Sequence, residues 1–295
     1  PVRDSVTGRE IARSRLAGRC QDLHFTQDAS SLLIGTNRGL EKWRIDEVAE
    51  GEVYGTHGGD PVFGLALAEQ GDILAYTSHV SPGKPREICV SIWDRKRRQQ
   101  LAVLPFGVDG LSPSDLAFSR DESLLAAALP KGQGIQVWDW RNKEKKAWLI
   151  GVAVGVNINR VRFTSNGNVI GCTFDGQLLE WSLDNPDHPR LLYRHPDDIA
   201  DFELFPDGSS VALGGGEKLR GLRHVQLPNG ELFQESNTDS GPTNSIALRP
   251  NSSQIAVSCL HPSSLELCDL QTGVRIAKIM EPHNGLVPFT LFTCL

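Results

Sequence analysis

The chain has 295 residues, and 39% hydrophobic against 22% charged residues is enough apolar material for a packed core and too little charge for a disordered polymer. A net charge of -6 argues against a general nucleic-acid binder, which needs a basic surface to release counterions, and no apolar run approaches the ~18 residues of a membrane-spanning helix. With 29 glycines and 17 prolines, frequent turns and many short elements are expected rather than a few long helices.

A motif recurs along the chain: an apolar strand ending in Phe or Leu, a polar turn with Asp, Asn or Gly, then a small apolar strand. Its copies end their first strands at Phe25, Leu67, Phe118, Phe163, Phe205 and Leu248, and Leu291 continues the series. The steps between these positions are 42, 51, 45, 42, 43 and 43 residues. The long step holds an insertion, His79 to Arg86, with Lys84 within it. The apolar runs are short, alternating or continuous, and punctuated every few residues, which is strand behaviour and not a helical repeat. A period near 44 residues suits four strands per blade of a propeller.

A third strand follows in each copy. It carries Trp43, Trp93-Asp94, Trp138-Asp139 and Trp181 in the first four, loses the Trp in the fifth at Val225-Gln226-Leu227, and reads Leu267-Cys268-Asp269 in the sixth. On these residues the chain resembles the WD-repeat family of β-propellers over nearly its whole length. In that family a loop His, a Ser or Thr, a turn Asp and the Trp form a buried hydrogen-bonded set. The resemblance assigns Thr173, Asp175 and Trp181 to three of those roles in the fourth blade, and His57 and Trp93 to two in the second. Thr56-His57, Arg194-His195 and Pro282-His283 stand near the family's Gly-His element. All are structural assignments.

Pro1 to Ala12 parallels Leu267 to Ala277, so the chain is expected to open in a third strand and to end in a first strand around 287–292. The expectation is therefore one all-β domain over 1–295: a seven-bladed propeller with blades at 20–56, 60–105, 113–152, 158–195, 198–236 and 243–280. A closing blade is built from 1–16 plus 286–295 and lacks about one strand. Two explanations stay open for that gap: a piece of a longer protein, in keeping with a start at Pro1, or a three-stranded seventh blade. An unfilled blade invites strand addition from a partner or a second copy.

The six cysteines contain no CxxC pair, which argues against a zinc or redox motif and for buried thiols in a reducing cytoplasm; a Cys259–Cys268 disulfide across a hairpin is the alternative. Gly214-Gly215-Gly216-Glu217-Lys218 lacks the ending of a phosphate loop and reads as a tight hairpin turn. Asp197, Asp198 and Asp201 suit either an acidic turn or a calcium site. Arg95-Lys96-Arg97-Arg98 and Lys143-Glu144-Lys145-Lys146 read as solvated turns between third and fourth strands.

No catalytic constellation emerges, and no cofactor or metal is expected. The functional expectation is a noncatalytic scaffold that docks a protein or peptide. The face expected to carry the site bears the second-to-third and fourth-to-first connections. It presents Arg38, His79, Lys84, Arg86, Lys131, Lys218, His261 and His283. The alternative is a propeller enzyme of hydrolase or lactonase type with a metal in its central funnel.

Overall fold

The structure, a computed structural model, describes residues 2–3, 10–12, 20–25, 31–36, 39–44 and 52–54, and most of the chain from 62 to 280. Within that last span the longer stretches outside the described residues are 80–87, 106–111, 216–220, 237–241 and 249–252. Every regular element among the described residues is a β-strand.

Strands β1 (Val2–Arg3) and β2 (Glu10–Ala12) pair antiparallel. Six four-stranded antiparallel sheets follow in chain order. The first holds β3 (Cys20–Phe25), β4 (Ser31–Thr36), β5 (Gly39–Arg44) and β6 (Glu52–Tyr54). The second holds β7 (Leu65–Leu67), β8 (Ile73–His79), β9 (Ile88–Asp94) and β10 (Gln99–Pro105). The third holds β11 (Asp115–Phe118), β12 (Leu124–Ala128), β13 (Ile135–Asp139) and β14 (Glu144–Leu149). The fourth holds β15 (Ile158–Phe163), β16 (Val169–Thr173), β17 (Gln177–Ser182) and β18 (Asn185–Arg194). The fifth holds β19 (Asp201–Leu204), β20 (Ser210–Gly215), β21 (Gly221–Gln226) and β22 (Glu231–Ser236). The sixth holds β23 (Thr243–Leu248), β24 (Gln254–Leu260), β25 (Ser263–Asp269) and β26 (Arg275–Met280).

In each sheet successive strands are neighbours, and the first strand of each sheet lies beside the first strand of the next: β3 by β7, β7 by β11, β11 by β15, β15 by β19, and β19 by β23. Such a repeated arrangement is propeller-like. It places the first-to-second and third-to-fourth turns of every sheet on one face, and the remaining connections on the other.

The residue pattern across a sheet explains this order. Second strands are buried on both faces, so they read as continuous runs of small or apolar residues; Leu125, Ala126, Ala127 and Ala128 are all at 0% exposure. Fourth strands sit outermost, and β14 opens with the exposed Glu144, Lys145 and Lys146, charges that blunt a free edge. Between the sheets lie separate apolar clusters. Leu104 and Leu125 pack between the second and third sheets, Ile135 and Trp181 between the third and fourth, and Cys172 and Phe202 between the fourth and fifth. Each such fully buried side chain contributes about 1.5–3 kcal/mol of transfer free energy.

Two expectations change. Gly214 and Gly215 lie inside β20 and lead into the β20–β21 hairpin without forming its turn, while 216–218 of the same run lie outside the described residues. A Cβ on Gly214 would stand 2.5 Å from Thr243 Cγ2, and one on Gly215 would stand 2.3 Å from the Asp198 carbonyl oxygen, so these glycines allow close approach of neighbouring backbone. Cys259 and Cys268 do not face one another either: Cys259 pairs with Ser264 and Cys268 with Ile255, and Cys268 is a buried free thiol. Cys172 is likewise buried and free, and burial pushes its thiol up to about 12.

Candidate partner-binding cavity

The recurring Phe or Leu that marks the repeat ends the first strand and stands at the start of a polar turn. In the third sheet the Ser119 hydroxyl donates to Asp121 Oδ1 at 2.7 Å and accepts the Leu124 amide at 2.9 Å. In the fourth, the Thr164 hydroxyl bonds Asn166 and the Asn168 carbonyl. In the fifth, Asp207 accepts the Ser209 amide at 3.0 Å and its hydroxyl at 2.8 Å. The Ser119 hydroxyl holds the Asp121 carboxyl below the usual carboxylate range, and the Ser209 amide does the same for Asp207. The motif thus folds three successive turns alike, and each leaves its aromatic anchor half-buried.

These anchors surround a cavity of about 690 Å3. Its apolar wall includes Leu67, Phe118, Phe163, Leu204 and Phe205, from four consecutive sheets. It runs outward between the fourth and fifth sheets to Glu180, Arg190, Leu227 and Pro228. Ser119, Arg120, Ser165 and Asn166 supply polar groups at its rim. The wall is braced from behind: His224 stacks on Phe205 with ring centroids 4.7 Å apart, and its Nε2 lies 2.9 Å from the Ser210 hydroxyl. Glu180 is held by Asn168 Nδ2 at 2.9 Å and by Arg190 Nε at 3.2 Å, so its carboxylate is fixed and charge-compensated. The cavity offers apolar surface with polar groups and two ion pairs, Arg120 with Glu69 and Arg190 with Glu180, around it, a combination that suits ligand binding.

Comparison with models of known families gives no match. Comparison with curated proteins gives none either.

This cavity lies on the face of the first-to-second and third-to-fourth turns, opposite the face singled out from the sequence. Of the residues expected on that other face, Lys131 is exposed in the second-to-third turn of the third sheet, and its amide donates to Asn157 Oδ1 at 2.6 Å. His79 ends β8, with its side chain outside the described residues. Arg38, Lys84, Arg86, Lys218, His261 and His283 lie outside them, as does His57.

The residues assigned to the family's buried set are brought together only in part. Thr173 Oγ1 donates to Asp175 Oδ1 at 2.6 Å. Trp181 does not join them; its indole donates to the Ile150 carbonyl at 2.7 Å, tying the fourth sheet to the end of the third. Trp93 and Trp138 pack in the apolar layers flanking the second sheet.

The Asp of each Trp-Asp pair has its own task. Asp94 accepts the Arg97 amide at 2.8 Å and Asp139 the Asn142 amide at 3.1 Å, so each caps a third-to-fourth turn. Asp269 does the same for Gln271 and Thr272. Those amides hold Asp94 and Asp139 below the ordinary carboxylate range.

His195 lies between the fourth and fifth sheets at 4% exposure. Its Nε2 meets Arg223 Nη1, and Arg223 Nη2 donates to Glu235 Oε1 at 2.6 Å. Nδ1 stands 3.1 Å from both the carbonyl oxygen and the amide nitrogen of Asp197; arginine has no acceptor, so Nε2 accepts, and that assigns the proton to Nδ1, which donates to the carbonyl. Asp201 is engaged by Arg160 Nε at 3.1 Å and the Ile246 amide at 3.0 Å. Among the described residues no group of three or more His, Cys, Asp or Glu is arranged to hold a metal.

Proposed function

We propose that this chain is a noncatalytic, seven-bladed propeller of WD-repeat type that holds a protein partner at the cavity between its first-strand ends. The observation that carries this reading is the shared origin of the wall. One repeated residue position, from four consecutive sheets, builds a single recess of about 690 Å3, within the ~300–1,000 Å3 typical of binding sites. The turns that rim it are cross-linked by their own side chains, so little entropy is lost when a partner settles on them. The sheet order and the turn-capping Asp residues support the propeller type.

The test is affinity capture with a variant that fills the recess without emptying the core. Ser165 is exposed on the rim, so Ser165→Trp keeps the melting temperature and blocks the opening. The partners captured by the wild type are lost from this variant. Capture of the same partners at the same level by both proteins overturns the assignment of the cavity.

A further inference from the structure

Two basic stretches, 95–98 and 141–146, fall on adjacent sheets and on the face that carries the cavity; the turn expected at 143–146 is displaced, because Glu144, Lys145 and Lys146 open β14 and only Lys143 of that run lies in the turn. Each is tied to the first-to-second turn of its own sheet. In the second sheet Arg95 Nη1 donates to the Gly71 carbonyl, and the Arg95 amide donates to the Asp72 carbonyl at 2.8 Å. In the third, Trp140 Nε1 and Arg141 Nη1 both donate to the Glu122 carbonyl, at 2.8 and 2.6 Å. The bridge to the cavity is Arg120, which lines it and lies 3.6 Å from Glu69 of the second sheet.

Exposure separates the charges on this corner. Lys96, Arg97, Arg98, Arg120, Arg141, Lys143, Lys145 and Lys146 are all exposed, whereas Asp94 and Glu122 are buried, Asp72 and Asp139 are half-buried, and Glu69, Asp121 and Glu144 are exposed; Lys96 pairs with Asp72 at 2.7 Å and Lys146 with Glu144 at 2.9 Å, so the cations outnumber the carboxylates beside them. Asp94 is turned inward to cap its turn, while its ion-pair partner Arg97 stands out at 77% side-chain exposure against 12%. The outermost layer is therefore cationic in a chain of net charge -6.

We infer that the partner segment held at the cavity is an acidic peptide: an aromatic or leucine side chain enters the recess, and flanking carboxylates lie over the turns of the second and third sheets. This rests on the reading of the cavity as a protein-docking site and adds the chemistry of what it docks. Exposed cations contribute mainly long-range attraction and specificity, screened over about 10 Å at 0.1 M salt. The apolar anchor supplies the affinity.

Fluorescence anisotropy on the full chain tests this with four labelled probes: a short peptide with a central Phe flanked by Glu, the same peptide flanked by Lys, the same flanked by Ser, and a single-stranded oligouridylate. The Glu-flanked peptide binds most tightly, and added salt weakens it. Lys96→Glu with Lys143→Glu lowers its affinity roughly tenfold, about 1.4 kcal/mol, and leaves the Ser-flanked peptide unchanged. Ser165→Trp weakens both. Equal binding of the Glu- and Ser-flanked peptides, lost in Ser165→Trp, overturns the acidic partner and leaves the docking cavity standing. Failure of every peptide to bind, or indifference of all of them to Ser165→Trp, overturns both. Tighter binding of the oligouridylate, weakened by the two turn substitutions, assigns the basic corner to nucleic acid and overturns the inference.

Discussion

Arg162 Nη1 lies 2.8 Å from Asp115 Oδ2, and that same oxygen accepts the Val161 amide at 2.9 Å. One carboxylate of the third sheet thus holds both a backbone group and a cation of the fourth. The fifth sheet repeats the device: Asp201, which occupies the register position of Asp115, accepts the Ile246 amide of the sixth sheet and pairs with Arg160 of the fourth. Arg162 also reaches Glu203 at 3.5 Å and lies 5.9 Å over the Phe202 ring. Burial works against its charge, but Asp115, Glu203 and Asp201 outweigh that and raise its pKa. The polar groups near the first strands therefore join successive sheets alongside the apolar clusters.

Asp115→Ala removes an acceptor from a buried amide and the main partner from Arg162. Breaking a buried pair from one side costs about 3–5 kcal/mol. With Arg162 26% exposed, the cost here falls to about 2–3 kcal/mol, read as a lower urea midpoint. Asp115→Asn, which keeps an acceptor for the amide, loses less than Asp115→Ala. Equal losses in the two variants refute the role given to the amide.

Glu203 behaves in the opposite sense. Burial raises its pKa, Arg162 offsets this only in part, and the charge of Asp201 adds to the rise. The fold therefore disfavours the ionised form of Glu203 relative to the unfolded chain. Glu203→Gln keeps the volume and removes that charge, so it raises the thermal midpoint at neutral pH. A clear fall in the midpoint contradicts this account.

His195 makes stability depend on pH. Burial is the largest cause that lowers its pKa, followed by the adjacent Arg223 charge. A second proton would sit on Nε2, against an Arg223 N–H. The folded state thus binds this proton more weakly than the unfolded state, whose histidine titrates near ~6.5. Stability from His195 is complete above that pH and is lost as pH falls through the depressed folded value. Asp197 and Asp198 moderate the shift, and Glu235 balances Arg223. His224 is also lowered by burial and adds to the same slope. Thermal melts between pH 7 and 5 therefore show a steeper decline for the wild type than for His195→Gln. Parallel slopes count against it.

The four-stranded antiparallel repeat was legible because its cause is local. A first strand ending in Phe118, Phe163 or Phe205 and a turn closed by Ser119, Thr164 or Asp207 repeat within short segments. The cavity was not legible, because the anchors meet only when four sheets stand side by side. In the sequence they served as markers of the period, and the longest insertion drew attention to the other face. The glycines of β20 misled for a related reason: a Gly pair reads as a turn unless the neighbours pressing on it, Thr243 and Asp198, are known. Trp181 illustrates a third limit. Its position in the strand follows the repeat, but its partner, the Ile150 carbonyl, belongs to the sheet before.

Three glycines separate the two reasons for having one. Gly167 has φ +85° with nothing within 4 Å of an added Cβ, so Gly167→Ala meets only backbone strain, about 1–2 kcal/mol. Gly214 lies outside the left-handed region but meets Thr243 Cγ2 at 2.5 Å, so Gly214→Ala forces the fifth and sixth sheets apart, about 1–3 kcal/mol. Gly176 combines both: φ is +85°, and its Cβ would stand 2.2 Å from the Asp197 carbonyl oxygen and 2.6 Å from that of His195. Those atoms are backbone and cannot rotate away, and they belong to the same loop that places His195 against Arg223. Gly176→Ala is therefore the most destabilising of the three, and it alone flattens the acid slope of the thermal melts, because the displaced loop no longer shields His195. If Gly167→Ala proves as damaging as Gly176→Ala, close packing against that loop is not what requires a glycine there.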